Sequence, residues 1–245
     1  MENKLDINFV TNEGYNIKII EYINAKNCTI RFEDGSTRSG IQYDKIKKGK
    51  VKHYNHLSIF SIGKIGYGKY NSKTHFNYYK IWKRVLERCC RLETKEKQPT
   101  YKDVIVCEEW YNFQNFAEWV EQNYNPETMQ GWHLDKDILI KRNKIYSPDT
   151  CCFVPREINN LFPKADSIRG EYPIGISKIR NLFQVFCCIN STQKFIGLYI
   201  TPEEAFQAYK ITKERYIKEI AEKYKDKIKP QVYNALISYK VEITD

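Results

Sequence analysis

Residues 132–162, WHLDKDILIKRNKIYSPDTCCFVPREINNLF, decide how the rest of the chain is read. Trp132 to Leu134 predicts a strand, Asp135, Lys136 and Asp137 form a charged tip, and Lys141 to Asp149 form a loop. A run entering a helix near Arg156 follows, so the block is a ββα unit with a carboxylate at its first strand and Asn143 eight residues later. Carboxylates of this kind suit a hard divalent cation, which takes oxygen ligands. His133 lies two residues before Asp135, and strand alternation puts both side chains on one face. It is the only histidine within the block, and imidazole is the side chain best suited to proton movement near neutral pH.

The charge around this block is uneven. The 245 residues carry a net charge of +10. From Ser36 to Lys102 there are 17 Lys/Arg against 4 Asp/Glu, from Asp103 to Pro163 5 against 10, and from Lys164 to Lys229 13 against 8. Basic segments on either side of an acidic middle suit a polyphosphate partner and a metal between them. Solvated lysine-rich faces give the same counts. The aromatic content of 14% with 19 Tyr argues for a folded chain. No apolar run reaches the roughly 18–20 residues that span a bilayer, and MENKLDINFV has no signal-peptide apolar region. The expectation is a soluble cytoplasmic protein with no membrane partner.

Eight cysteines occur, three times as adjacent pairs, and no C-x-x-C is present. Cys89, Cys107 and Cys151 are candidates for a structural Zn²⁺ site. Buried reduced thiols are the other reading.

Three segments are expected, at 1–70, 71–163 and 171–245, giving an α+β chain. In the first, Tyr15–Tyr22, Cys28–Phe32 and Thr37–Gln42 predict short strands, with Asp34–Gly35 as a hairpin turn. Their spacing suggests a small Tudor-like β-barrel. The five lysines of Lys45–Lys52 could touch a phosphate backbone or simply be solvated. In the second, Phe76, Tyr79, Trp82, Val85, Leu86 and Cys89 recur at helical spacing, and Arg84 and Arg88 lie on the opposite face. Phe113, Phe116, Ala117 and Val120 mark another helix, with its aromatics read as core. In the third, Ile174–Ile179, Leu182–Ile189 and Lys194–Tyr199 predict three strands. Thr201-Pro-Glu-Glu204 combines an N-cap, a first-turn proline and a capping box. A three-stranded sheet packed on one long helix follows, with Lys178, Arg180, Gln184 and Lys194 expected on the outer face of the sheet. Residues 230–239 add a short helix.

Two resemblances rest on these residues. The run from Gly175–Ile176 through Gly197 in FIGLY to TPEEAFQAY resembles the APETALA/ethylene-response-factor type of DNA-binding domain over about 60 residues. That likeness implies a sheet laid in the major groove, with Arg and Lys reaching guanine edges. The middle block, from Trp82…Arg88-Cys89 through Trp110 and Trp119 to Leu134–Asn159, resembles phage-type HNH homing endonucleases over about 90 residues. It implies a phage protein expressed in a bacterial host, metal-dependent phosphodiester hydrolysis, and double-stranded DNA as partner. Asp135, with Asp137, would hold Mg²⁺ or Mn²⁺, and Asn143 would shape the loop. The pattern departs from the family at Lys136, which stands where the general base belongs. Between Asp135 and Asp137 its ammonium should stay charged, so His133 becomes the candidate to substitute as base or as ligand. The last metal ligand of the motif falls at Thr150 or Cys151. A catalytically inactive DNA-binding regulator, or a phage protein that binds and inhibits a host factor, is the other implication. An RNA-binding module is a third.

Overall fold

The computed structural model describes residue 5, residues 7–162 and residues 171–245, and the expected boundary between 163 and 171 lies outside the described residues. In chain order the elements are β1 (Asn8–Val10), β2 (Asn16–Asn24), β3 (Asn27–Phe32), β4 (Thr37–Ile41), α1 (Tyr43–Lys47), α2 (Phe76–Cys90), α3 (Leu92–Lys97), β5 (Ile105–Val106) and α4 (Phe113–Asn123). There follow β6 (His133–Asp135), β7 (Ile145–Tyr146), β8 (Cys152–Val154), α5 (Arg156–Asn159), β9 (Ile176–Ile179), β10 (Leu182–Ile189), β11 (Thr192–Tyr199), α6 (Pro202–Tyr224) and α7 (Pro230–Ile237). The fold is mixed α+β with several separate sheets. The chain divides into two compact units, Met1–Lys97 with Val106–Val120, and Gln98–Ile105 with Glu121–Asp245.

In the first unit, β1 to β4 form an antiparallel meander in sequence order. The expected barrel is not there. Closure requires the first and last strands to pair, and β1 pairs with β2 while β4 pairs with β3, leaving the sheet open. Its inner face is made by alternate strand residues, Ile17 and Ile19 with Cys28, Ile30 and Phe32, covered by Ile46 of α1. The lysine run from 45 is therefore partly helical, and Lys48 is paired with Asp44 at 2.8 Å. The apolar stripe of α2 is buried as its spacing predicts, through Trp82, Val85, Leu86 and Cys89. Trp82 Nε1 donates to the Trp110 carbonyl at 2.6 Å, and its ring lies 5.3 Å from that of Phe113. Trp82, Trp110, Phe113 and Phe116 are core, while Phe76 at the start of α2 is exposed. The glycine-rich run is held by Gln114, whose Nε2 donates to the carbonyls of Ile65 and Tyr70, both at 2.9 Å.

In the second unit, β11-β10-β9 form an antiparallel sheet. The capping box forms at α6: Thr201 Oγ1 accepts the Glu204 N–H and Glu204 Oε2 accepts the Thr201 N–H, each at 3.2 Å. The helix then serves two cores. Ala205, Phe206 and Tyr209 pack on Ile176, Phe183, Val185 and Cys187 of the sheet. Two to three turns later Tyr216, Ile217, Ile220 and Ala221 pack on Ile138, Cys152, Val154 and Ile158 of the 132–162 block, with Val232 and Leu236 of α7. Each such fully buried aliphatic side chain contributes about 1.5–3 kcal/mol relative to exposure. Among the described residues, no helix is long and apolar enough to cross a membrane.

Candidate functional site

The 132–162 block is organised by pairing β6 with β8. His133 faces Val154, Leu134 faces Phe153 and Asp135 faces Cys152 in antiparallel register. Pro155 ends β8 and leads directly into α5, whose Ile158 is fully buried. The strand–loop–strand–helix order puts His133 and Asp135 on one face of β6, with His133 exposed and Asp135 partly buried.

Asp135 organises the turn below it. Its Oδ1 accepts the backbone N–H groups of Asp137 and Ile138, both at 2.8 Å. Burial, followed by the neighbouring Asp137 carboxylate, raises its pKa from the ordinary carboxylate value to about 6. A like charge in a partly dry site disfavours ionisation, and a nearby cation would relieve it.

Lys136, the candidate at the general-base position, is turned inward. It is buried, and its Nζ donates to Asp137 Oδ2 at 3.0 Å and to the Asn143 carbonyl at 3.1 Å. Tyr146 lies beneath the ammonium, with 6.0 Å to the ring centroid. Asn143 returns the contact: its Nδ2 donates to the carbonyls of Lys136 and Ile145, both at 2.6 Å, and its Oδ1 accepts the Ile145 N–H at 3.2 Å. These two side chains close the loop from both ends. Thr150 completes it, donating to the Ile145 carbonyl at 2.7 Å and contacting Ser147 Oγ at 2.9 Å.

The loop also holds two basic residues that the sequence did not single out. Lys141 Nζ donates to Asp245 Oδ2 and to the Lys240 carbonyl, both at 2.7 Å. Arg142 adopts a left-handed backbone (φ 64°) and donates to Glu242 Oε2 at 2.6 Å and to Thr244 Oγ1. An acidic segment a hundred residues away therefore neutralises the charges beside the site. No local pattern signals such a long-range pairing.

The remaining predicted residues are dispersed. Arg84 is exposed on α2 and Arg88 is half-buried there. Strand register separates the four residues expected on the outer sheet face. Gln184 is on that face, opposite Ser177 of β9, and its Nε2 donates to Ser177 Oγ at 3.0 Å. Lys178 pairs with the buried Phe183 and Lys194 with the buried Cys187, so both alternate to the side that α6 covers and reach solvent at the edges. Arg180 sits in the turn between β9 and β10, at φ 53°. The outer face is thus less polar than expected, because the basic residues fall one step out of phase with it.

All eight cysteines are free thiols. Cys89 and Cys151 are buried, and Cys107 is half-buried. Burial raises the thiol pKa of Cys107, and that of Cys151 to about 12, which opposes the thiolate form that binds zinc. Among the described residues, no group of three or more His, Cys, Asp or Glu side chains gathers as a metal site. No protein-family model, curated protein or solved structure matches the chain.

Proposed function

We propose that the chain is a DNA-binding protein of the phage HNH-endonuclease type, acting in the cytoplasm of a bacterial host. The reading rests on one arrangement: His133 and Asp135 on the same face of β6, which pairs with β8 and runs through a loop closed by Asn143 into α5. The raised Asp135 carboxyl, crowded by Asp137, fits a largely hydrated Mg²⁺ or Mn²⁺, an ion that needs only one or two protein carboxylates. Asp135 would hold it, assisted by Asp137. When bound, such an ion polarises the phosphate and stabilises the leaving oxygen. His133 would take the proton from the attacking water, the role that Lys136, locked to Asp137, is not placed to perform. The C-terminal sheet with α6 would lie on the duplex in the manner of the APETALA/ethylene-response-factor type, and in the other unit the basic residues Arg84 and Arg88 of α2 are candidates for phosphate contact in their own right.

Plasmid nicking with Mg²⁺ or Mn²⁺ tests the reading. The parent should nick, and His133→Ala and Asp135→Ala should each lose at least about a hundredfold of the rate, the scale of a general acid–base contribution. Parent and both variants failing alike while still binding duplex DNA would sink the catalytic half.

A second reading is favoured by Lys136 itself. A buried ion pair at the general-base position is what a scaffold retained for binding alone would carry. The chain would then be a catalytically inactive DNA-binding regulator, or a phage protein that binds and inhibits a host factor. Salt dependence of duplex affinity separates the last two, because phosphate contacts give a steep fall of log K with log salt.

A further inference from the structure

The open face of the C-terminal sheet has the wrong chemistry for reading guanine. Strand register sets its membership. Ile176, Phe183, Val185 and Cys187 face α6. Ile179, Leu182, Gln184, Phe186, Phe195 and Leu198 occupy the opposite face, because Phe186 pairs with Phe195, Gln184 with Leu198, and Leu182 with Ile179. A bulge after Val185 keeps Phe195 and Leu198 on the same side. Phe195 is 55% exposed, Leu198 51% and Ile179 46%. The rings of Phe186 and Phe195 meet at 5.5 Å. Apolar side chains gathered on an open face mark an interaction surface.

The charge beside this face selects the partner. Residues 172–200 contain Lys178, Arg180 and Lys194 and no Asp or Glu. The basic residues stand at the edges and the turn, where they suit phosphates flanking a surface and not base edges under its centre. Guanine is read by Arg or Lys, and neither side chain lies on the face. Its polar centre is Gln184, with its amide oriented by Ser177. A glutamine amide pairs with the N6 and N7 edge of adenine, and apolar side chains pack on the thymine methyl.

We propose that this face reads A·T base pairs in the major groove, with Phe186, Phe195 and Leu198 against thymine methyls and Gln184 on an adenine edge. The inference rests on the duplex-binding reading above and deepens it by naming the bases.

The test is fluorescence anisotropy of the full chain with short labelled duplexes at fixed salt: one A·T-rich, one G·C-rich, and one A·T-rich with uracil replacing thymine. The A·T duplex should bind about tenfold or more tighter than the G·C duplex, and Gln184→Ala should remove most of that margin. Uracil, which lacks only the methyl group in the major groove, should weaken binding several-fold. A Phe195→Ser variant with unchanged circular dichroism should show a smaller preference for thymine over uracil than the parent. Equal affinity for A·T and G·C, or no response to uracil, would overturn the inference while leaving duplex binding intact. Tighter binding of single-stranded oligo(dT) than of any duplex would also overturn it. Failure to bind any duplex would instead remove the reading on which it rests.

Discussion

Replacing Lys136 with methionine keeps most of the side-chain volume and deletes the ammonium. In the folded chain the Lys136 side chain is 9% exposed, and its ammonium bridges the Asp137 carboxylate and the Asn143 carbonyl. At 3.0 Å and an effective dielectric near 20, the gross attraction to Asp137 is about 5 kcal/mol, much of it offset by desolvation of both groups. Breaking a buried pair from one side typically costs about 3–5 kcal/mol. Asp137 retains 23% exposure, so water recovers part of the loss. The expected cost of Lys136→Met is therefore about 2–3 kcal/mol, or about 5–10 °C in Tm for a chain of this size. Urea unfolding followed by tryptophan fluorescence measures it. Adding Asp137→Asn should recover most of the stability, because the stranded charge is then gone. A loss below about 0.5 kcal/mol, the size of an ordinary surface substitution, would refute the structural role given to Lys136. Loss of nicking without loss of stability would return Lys136 to the chemistry.

Asp135→Asn should differ in sign from Asp135→Ala. The amide oxygen can still accept the Asp137 and Ile138 N–H groups, so at pH 8 the asparagine variant should be at least as stable as the parent, while alanine should cost about 1–3 kcal/mol in Tm-derived stability. The raised Asp135 pKa fixes a pH dependence: its stabilising effect is complete below the unfolded carboxylate value of 3.8 and is lost as pH rises through about 6. Urea midpoints from pH 4 to 8 should show that decline in the parent and not in Asp135→Asn. Glu242→Ala combined with Asp245→Ala should free Lys141 and Arg142, raising duplex affinity and steepening its log K against log salt slope by about 1–2, measured by anisotropy. Gly175→Ala should cost more than about 2 kcal/mol by thermal melt, because φ is +79° and a Cβ would stand 2.4 Å from the Phe186 carbonyl oxygen.

What local sequence could express is present in the fold. The stripe from Phe76 to Cys89 became α2, and Leu182–Ile189 became β10. Thr201 and Glu204 cap α6 reciprocally, because a capping box is a contact between residues three apart and leaves its whole signature in four letters. Barrel closure was not legible. It depends on whether β1 and β4 meet, and nothing within either strand encodes that. The outer face of the sheet was misjudged for a related reason. Period-two alternation assigns faces only once register is known, and the observed register pairs Lys178 with Phe183 and Lys194 with Cys187, one step away from the outer set.

The division of labour along α6 bears most on function. Its first turns belong to the sheet and its later turns to the 132–162 block, so the expected nuclease-like part and the expected DNA-reading part share one helix. Rigid helices transmit displacement along their axis, and the residues between the two contact sets, Thr212 and Lys213, are both buried. Burial also lowers the pKa of Lys213. The sheet proposed to read bases and the strand carrying His133 and Asp135 are thus fastened to the same rod. That is the arrangement in which the register of the duplex on the sheet would determine which phosphate reaches β6. Shortening α6 by a turn between Tyr209 and Tyr216 should leave duplex affinity within a few-fold, if both ends still pack, and move or abolish the position of nicking. Nicking at an unchanged position would show that the sheet does not set it.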